Sequence, residues 1–127
     1  MTHAHAQIAA SKYETLIEVS GFRLKADEPV SIGGGNSGPA PYDLLLASLS
    51  ACTAITLRMY AERKQWTLDA LAVAVRLHND GNGNRIERTL TIQGPDAQQC
   101  GKLVDVAERT PVTLTLKAGI PIHTSLA

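Results

Sequence analysis

Hydrophobic and polar positions alternate in distinct rhythms along this chain, and each rhythm predicts an element. Residues 6–27 read as extended. Thr15, Ile17 and Val19 alternate with Leu16, Glu18 and Ser20, and Gly21 breaks the run before Phe22–Ala26, which predicts a hairpin or small meander. Asp27-Glu28-Pro29 closes it, because proline cannot continue a strand ladder. The rhythm then changes in Pro39–Lys64. Leu45, Leu49, Cys52, Thr56 and Met59 recur at steps of four and three, the spacing that places side chains on one helical face. Neighbouring stripes carry Leu44, Ala51 and Ile55, and Leu46, Thr53 and Leu57, so the predicted helix is apolar nearly all round and needs cover on several sides. It would run about 36 Å at helical rise. Its uncharged stretch, Leu44–Leu57, is short for a membrane span and is bounded by Asp43 and Arg58.

Period two returns over Trp66–Leu77, where Leu71, Val73, Val75 and Leu77 form the face expected to be buried. Residues 78–84, with Asp80-Gly81 and Asn82-Gly83 in succession, predict a turn, and Arg85–Gln93 returns as the second strand of a hairpin. Asp96 is the expected N-cap of a second helix striped by Leu103, Val104, Val106 and Ala107 and ending at Thr110-Pro111. The tail predicts a short turn or helix start and then a last strand around Ile120–Ser125 that holds His123. Helices and strands do not alternate in βαβ fashion, so the fold class is α+β, in one domain spanning 1–127. The long apolar helix in so short a chain predicts a homodimer that shares it.

Composition narrows the function classes. Twelve basic residues balance twelve acidic ones, and the five aromatics are scattered, so nucleic acid and acidic lipid gain no electrostatic or stacking support. The start, MTHAHAQIAA, carries neither a positive leader nor an apolar core, so no signal peptide is expected there. His3 and His5 alternate as metal ligands can, but a solvated, frayed terminus is the preferred reading. Two cysteines at unrelated positions give neither a disulfide framework nor a zinc spacing, which points to a reducing, cytoplasmic location. No membrane association and no metal, nucleotide or flavin cofactor is expected. Residues 32–41, IGGGNSGPAP, precede a helix as phosphate loops do, yet lack both GK[ST] and GxGxxG spacing. They read as a loop whose glycines let backbone pass close to something.

One residue demands a chemical account. Cys52 sits mid-helix among Ser48, Ser50, Ala51 and Thr53. A thiol reacts as thiolate, and mid-helix placement gives little help from the helix dipole, so spacing alone reads Cys52 as a small buried hydrophobe. The segment GGGNSGPAPYDLLLASLSACTAITLRMYAERKQW, however, resembles the OsmC/Ohr family, nearest the branch with the signature GPxPYDLLLAxLxACTxxTLRMYAxRKxW. Looser similarity runs through ADEPVSIGG, the hairpin, and AERTPV…IPIHTSL. The resemblance implies an OsmC-like α+β fold, an intertwined homodimer with long central helices wrapped by sheets from both subunits, and sites at the subunit interface. It implies thiol-dependent reduction of hydroperoxides, chiefly organic ones, in oxidative stress defence.

By that resemblance Cys52 takes the peroxidatic position. The family's resolving cysteine opens a C-P-V-H motif; here the matching residues are Thr110-Pro111-Val112-Thr113, so Thr110 replaces the resolving cysteine and Thr113 the histidine. Cys100 is a poor substitute, about 15 Å earlier along a continuous second helix, when a disulfide needs Cα atoms within about 7 Å. Where the main peroxidase branches carry a glutamate ten residues before the cysteine, this chain has Tyr42. Asp43 is the stand-in, about 100° round the helix. Arg23, in the N-terminal strands, is the candidate by region for the family's thiolate-supporting arginine. Two readings stay open: a hydroperoxide reductase using Cys52 alone with an external thiol reductant, and a non-catalytic OsmC-fold dimer that binds a small apolar ligand at the subunit interface.

Overall fold

The turn at Ser20-Gly21 sets the first sheet. Both residues have positive φ, +50° and +84°, as a two-residue hairpin loop between twisted strands requires. It joins β2 (Thr15–Val19) to β3 (Phe22–Ala26), and β1 (Ala4–Ile8) pairs antiparallel on the other side of β2. The expected meander is therefore present, but it begins earlier than residue 6. Of the two N-terminal histidines, His5 is not on a frayed end but lies in β1 opposite Glu18, while His3 precedes the strand. The computed structural model describes residues 2–127, which divide into two compact units, one ending at Leu45 and one running Leu46–Ala127.

In the first unit the glycine-rich loop is organised by one carboxylate. Asp27 is buried and accepts from the backbone N–H groups of Glu28 (2.7 Å), Gly35 (3.2 Å) and Ser37 (3.1 Å), and from the Ser37 hydroxyl (2.8 Å). The N–H of Ser37, then that of Glu28, holds its carboxyl below the usual range. A side chain on Gly34 would overlap the Glu28 carbonyl, and one on Gly38 the Lys25 carbonyl. The close backbone approach expected of this loop is what its glycines permit.

The long helix, α1, runs Pro41–Lys64, 24 residues. Proline opens it, and Asp43 reaches back to accept the Ala40 N–H at 2.9 Å, the reciprocal half of a capping box. It ends in a Schellman motif: Gln65 has φ +59°, Trp66 N–H bonds the Ala61 carbonyl and Gln65 N–H that of Glu62. By length and composition this helix would suit a membrane crossing, unlike the shorter uncharged stretch within it. The expected cover on several sides is not met within one chain. Only Leu49, Thr53, Leu57 and Ala61 are buried, one stripe at steps of four, while Ile55 and Met59 stay 55% and 51% exposed.

In the second unit, β4 (Ala70–Asn79) and β5 (Asn84–Gln93) form the predicted hairpin. Their covered faces are Leu71, Val73, Val75, Leu77 and Ile86, Arg88, Leu90, Ile92, so Arg88 sits in an inward register, opposite Val75. α2 (Ala97–Ala107) starts in a full capping box between Asp96 and Gln99. Its Leu103 and Ala107 meet Leu57 of α1 in the core, with Tyr60, Trp66, Leu71, Leu90 and Ile92 packed around. α2 ends before Thr110, and a third helix, α3 (Pro111–Ala118), follows with Thr110 as its N-cap and proline in the first turn. The last strand predicted at Ile120–Ser125 is absent: residues 119–127, His123 included, have no regular structure. The alternation of Ile120 and Ile122 is strand-like, but a strand needs a neighbour's backbone to bond, and this segment makes no such ladder.

Candidate functional site

Cys52 lies on α1, one position from the buried stripe, and is half-buried. Its sulfur is 3.9 Å from the hydroxyl of Thr56, one turn on, at the outer limit of a sulfur hydrogen bond. Both cysteines are free. Cys100 is in α2 with its sulfur turned to the Pro95 carbonyl at 3.6 Å. The continuous second helix expected between Cys100 and position 110 is broken, since α2 stops at Ala107 and Thr110 opens α3.

The residue after Cys52 begins a buried polar network. Thr53 is fully buried and donates to the Leu49 carbonyl at 2.7 Å, back-bonding within the helix. Its oxygen accepts from Arg88 Nη1 at 3.0 Å. The same nitrogen donates to Thr113 Oγ1 at 2.9 Å, and Nη2 donates to the Ala107 carbonyl at 2.7 Å. Thr110 is fully buried, its oxygen 2.6 Å from that of Thr113. A buried hydroxyl must donate, and Thr113 is the only partner of Thr110 Oγ1 among the described residues. Thr110 therefore donates to Thr113, and Thr113 turns its own proton to the Ala107 carbonyl at 3.4 Å. Lys117 ties α3 back to the end of α2 through Glu108, at 2.7 Å, and that contact holds the Glu108 carboxyl below its usual range, with Arg88 adding a smaller pull.

Thr110, the position matched to the family's resolving cysteine, is thus joined to Thr53, beside Cys52, through Thr113 and Arg88. The other two predicted residues lie in the first unit. Arg23 is on β3, with its side chain 88% exposed and 3.5 Å from Glu18. Asp43 caps the start of α1. Sequence reasoning misses Arg88. Its signal is a charged residue at the inward step of β5, between Ile86 and Leu90.

The chain belongs to the OsmC-like protein family. The family model matches residues 34–125, which hold most of the glycine-rich loop, α1, the hairpin, α2, α3 and most of the tail. Structures agree on the fold. An OsmC-like protein from Mycoplasma pneumoniae superposes with a TM-score of 0.78 at 22% identity, covering 92% of this chain and 87% of its own. An organic hydroperoxide resistance protein OsmC from Legionella pneumophila gives 0.69 at 22% identity, over 92% and 89%. An organic hydroperoxide resistance protein from Elizabethkingia anophelis gives 0.69 at 18% identity, over 91% and 87%. No curated protein matches the sequence. The expected α+β, OsmC-like fold is therefore present, with α1 as its long helix.

Among the described residues no group of three His, Cys, Asp or Glu side chains could hold a metal. The second unit has an open groove of about 640 Å³ lined by Tyr60, Lys64, Trp66, Gln99, Lys102 and Asp105. The first has one of about 550 Å³ beside Glu28, Asn36, Ser37 and Asp43. Neither is lined by Cys52.

Proposed function

We propose that this OsmC-like protein reduces organic hydroperoxides through Cys52 alone, as a cytoplasmic homodimer of a single 1–127 domain. The observation that carries the reading is a half-buried free thiol, set in the family's central motif, whose resolving partner position is a buried threonine. In the first step the Cys52 thiolate attacks the terminal peroxide oxygen. The O–O bond breaks, an S–O bond forms, and the alkoxide leaves and takes a proton to give the alcohol and Cys52 sulfenic acid. Thr110 cannot form a disulfide. A small thiol from solvent condenses with the sulfenic acid and releases water, and a second thiol molecule displaces the mixed disulfide and regenerates Cys52.

The dimer is supported by what one chain leaves uncovered. Ile55 and Met59 on α1, Phe22 (72% exposed) in the first sheet, and Ile122 (87%) in the tail are large apolar side chains in water. A second copy would bury them and give the tail a strand to pair with. The same apolar surroundings favour the second reading, a dimer that holds a small apolar ligand without turnover, because Thr110, Thr113 and Tyr42 together replace the family's reacting groups.

The deciding experiment is the rate of Cys52 oxidation by cumene hydroperoxide in Cys100→Ser protein, with the sulfenic acid trapped by dimedone and read by mass spectrometry. Fast, saturable oxidation and turnover with added thiol are expected. A rate no better than that of a free thiol would remove the catalytic reading and leave ligand binding.

A further inference from the structure

Arg88 occupies a step of β5 where the alternation asks for an apolar side chain, on one face with Leu90 and Ile92. Removing a guanidinium from water is costly, and among the described residues Arg88 makes no salt bridge, so the longer-range attraction of Glu108 offsets only part of that. All three of its acceptors are neutral: the hydroxyls of Thr53 and Thr113 and the carbonyl of Ala107. What the arginine gains there is connection. Its planar fork spans α1 and the corner between α2 and α3, a geometry that a lysine's single ammonium would not reproduce. It grips α1 at the residue next to Cys52, and it grips the corner on both sides of Thr110.

We propose that Arg88 is a positioning residue for Cys52, a permanent clamp on the corner that carries Thr110. This rests on Cys52 being the reacting thiol. In a two-cysteine enzyme the corner must yield its thiol to the oxidised sulfur. Here it is closed by Arg88, Thr113 and the Ala107 carbonyl, none of which responds to oxidation. The clamp keeps α1 and the corner in one arrangement whether Cys52 is thiol or sulfenic acid, so the sulfenic acid is left for a thiol arriving from solvent. Arg88 acts on the thiol only through Thr53 and the helix backbone.

The test uses the full-length protein without peroxide. Iodoacetamide labelling of Cys52 is followed by mass spectrometry against Cys100 in the same molecule, for wild type, Arg88→Met, Arg88→Lys and Thr113→Val. Loss of charge-assisted hydrogen bonds of this kind should raise the Cys52 rate about tenfold in Arg88→Met, with Cys100 changed less than about twofold. Arg88→Lys should fall between, and Thr113→Val, which opens the clamp from its other end, should repeat the effect if Arg88→Met fails to fold. A Cys52-to-Cys100 ratio that stays within about twofold of wild type, or a parallel rise at both cysteines, would overturn the clamp, the second outcome being general loosening. Because no peroxide is used, the ratio stands or falls apart from hydroperoxide reduction: slow oxidation of wild-type Cys52 would sink the catalytic reading while leaving the labelling result intact.

Discussion

Removing the two hydroxyls that share Arg88 Nη1 should cost less together than the sum of the separate losses. Thr53 and Thr113 both accept from that nitrogen, at 3.0 and 2.9 Å, and both are buried. Thr53→Val deletes one charge-assisted hydrogen bond, worth about 1.5–3 kcal/mol, and puts a methyl where the guanidinium pointed. Thr113→Val deletes another of the same size and also leaves the Thr110 hydroxyl without its acceptor. Once either is gone, Arg88 keeps too few partners to stay inward and turns toward water, so the second substitution removes a bond already lost. The double mutant should fall short of additivity by about 1.5–3 kcal/mol, the value of the bond counted twice, inside the range of about 0.5–3 kcal/mol for residues in one network. Thr53→Ser is the control: it keeps the acceptor and loses one methyl, about 0.8 kcal/mol. Urea unfolding at one fixed protein concentration measures all four, with equal m-values required for the comparison. Additivity within about 0.5 kcal/mol would mean that the hydroxyls act separately and that no shared clamp exists.

Three further outcomes test other parts of the molecule. Leu57→Ala removes a fully buried side chain from its contact with Leu103 and should destabilise the fold by about 2–5 kcal/mol in the same urea assay; a loss under about 1 kcal/mol would place the core elsewhere. Asp27 has its carboxyl depressed below the ordinary 3.8, first by the Ser37 N–H. Its contribution is therefore complete above pH 3.8 and drains away as pH falls through the lower folded value, so the gap between wild type and Asp27→Asn should close below about pH 4. A gap that is constant from about pH 7 to about pH 3 would contradict the loop geometry. Met59→Glu puts a charge on the uncovered face of α1 and should shift the protein from the proposed dimer to a monomer in gel filtration at micromolar concentration. Wild type eluting as a monomer would refute the dimer outright.

The sequence made α1 and the β4–β5 hairpin legible because their signals are local. The hairpin carries a period-two apolar face and Asp-Gly and Asn-Gly turn residues, and the structure keeps that covered face, although β4 starts at Ala70 rather than Trp66 and runs on to Asn79. α1 has a proline start, an acidic third residue and a long apolar run. Its side-to-side burial was not legible, because Leu45, Leu49, Cys52, Thr56 and Met59 form as good a helical stripe as Leu49, Thr53, Leu57 and Ala61. Only the positions of α2 and the hairpin choose between them. The tail failed for a related reason. Ile120 and Ile122 alternate as strand residues do, yet pairing depends on a backbone that local pattern cannot supply. The break between α2 and α3 is half legible: Pro111 reads as a stop, although it is equally the first residue of a new helix.

The site shows why a departure from a family motif is best judged with its neighbours. Set against the motif the chain resembles, Thr110 and Thr113 read as losses, one of a thiol and one of an imidazole. In the structure they are partners of each other, and Thr113 is also a partner of Arg88 on the covered face of β5. A cysteine in place of Thr110 would offer only a weak donor to Thr113 and take the strong hydroxyl donor out of the buried network. The substitutions at 110 and 113 therefore belong to one arrangement with Arg88 and Thr53. Restoring the thiol by Thr110→Cys should accordingly weaken the corner before it creates a disulfide. If oxidised Thr110→Cys protein joined Cys52 to the introduced thiol, with no loss of urea stability in its reduced form, the corner would be shown to open freely and the threonines to be mere replacements.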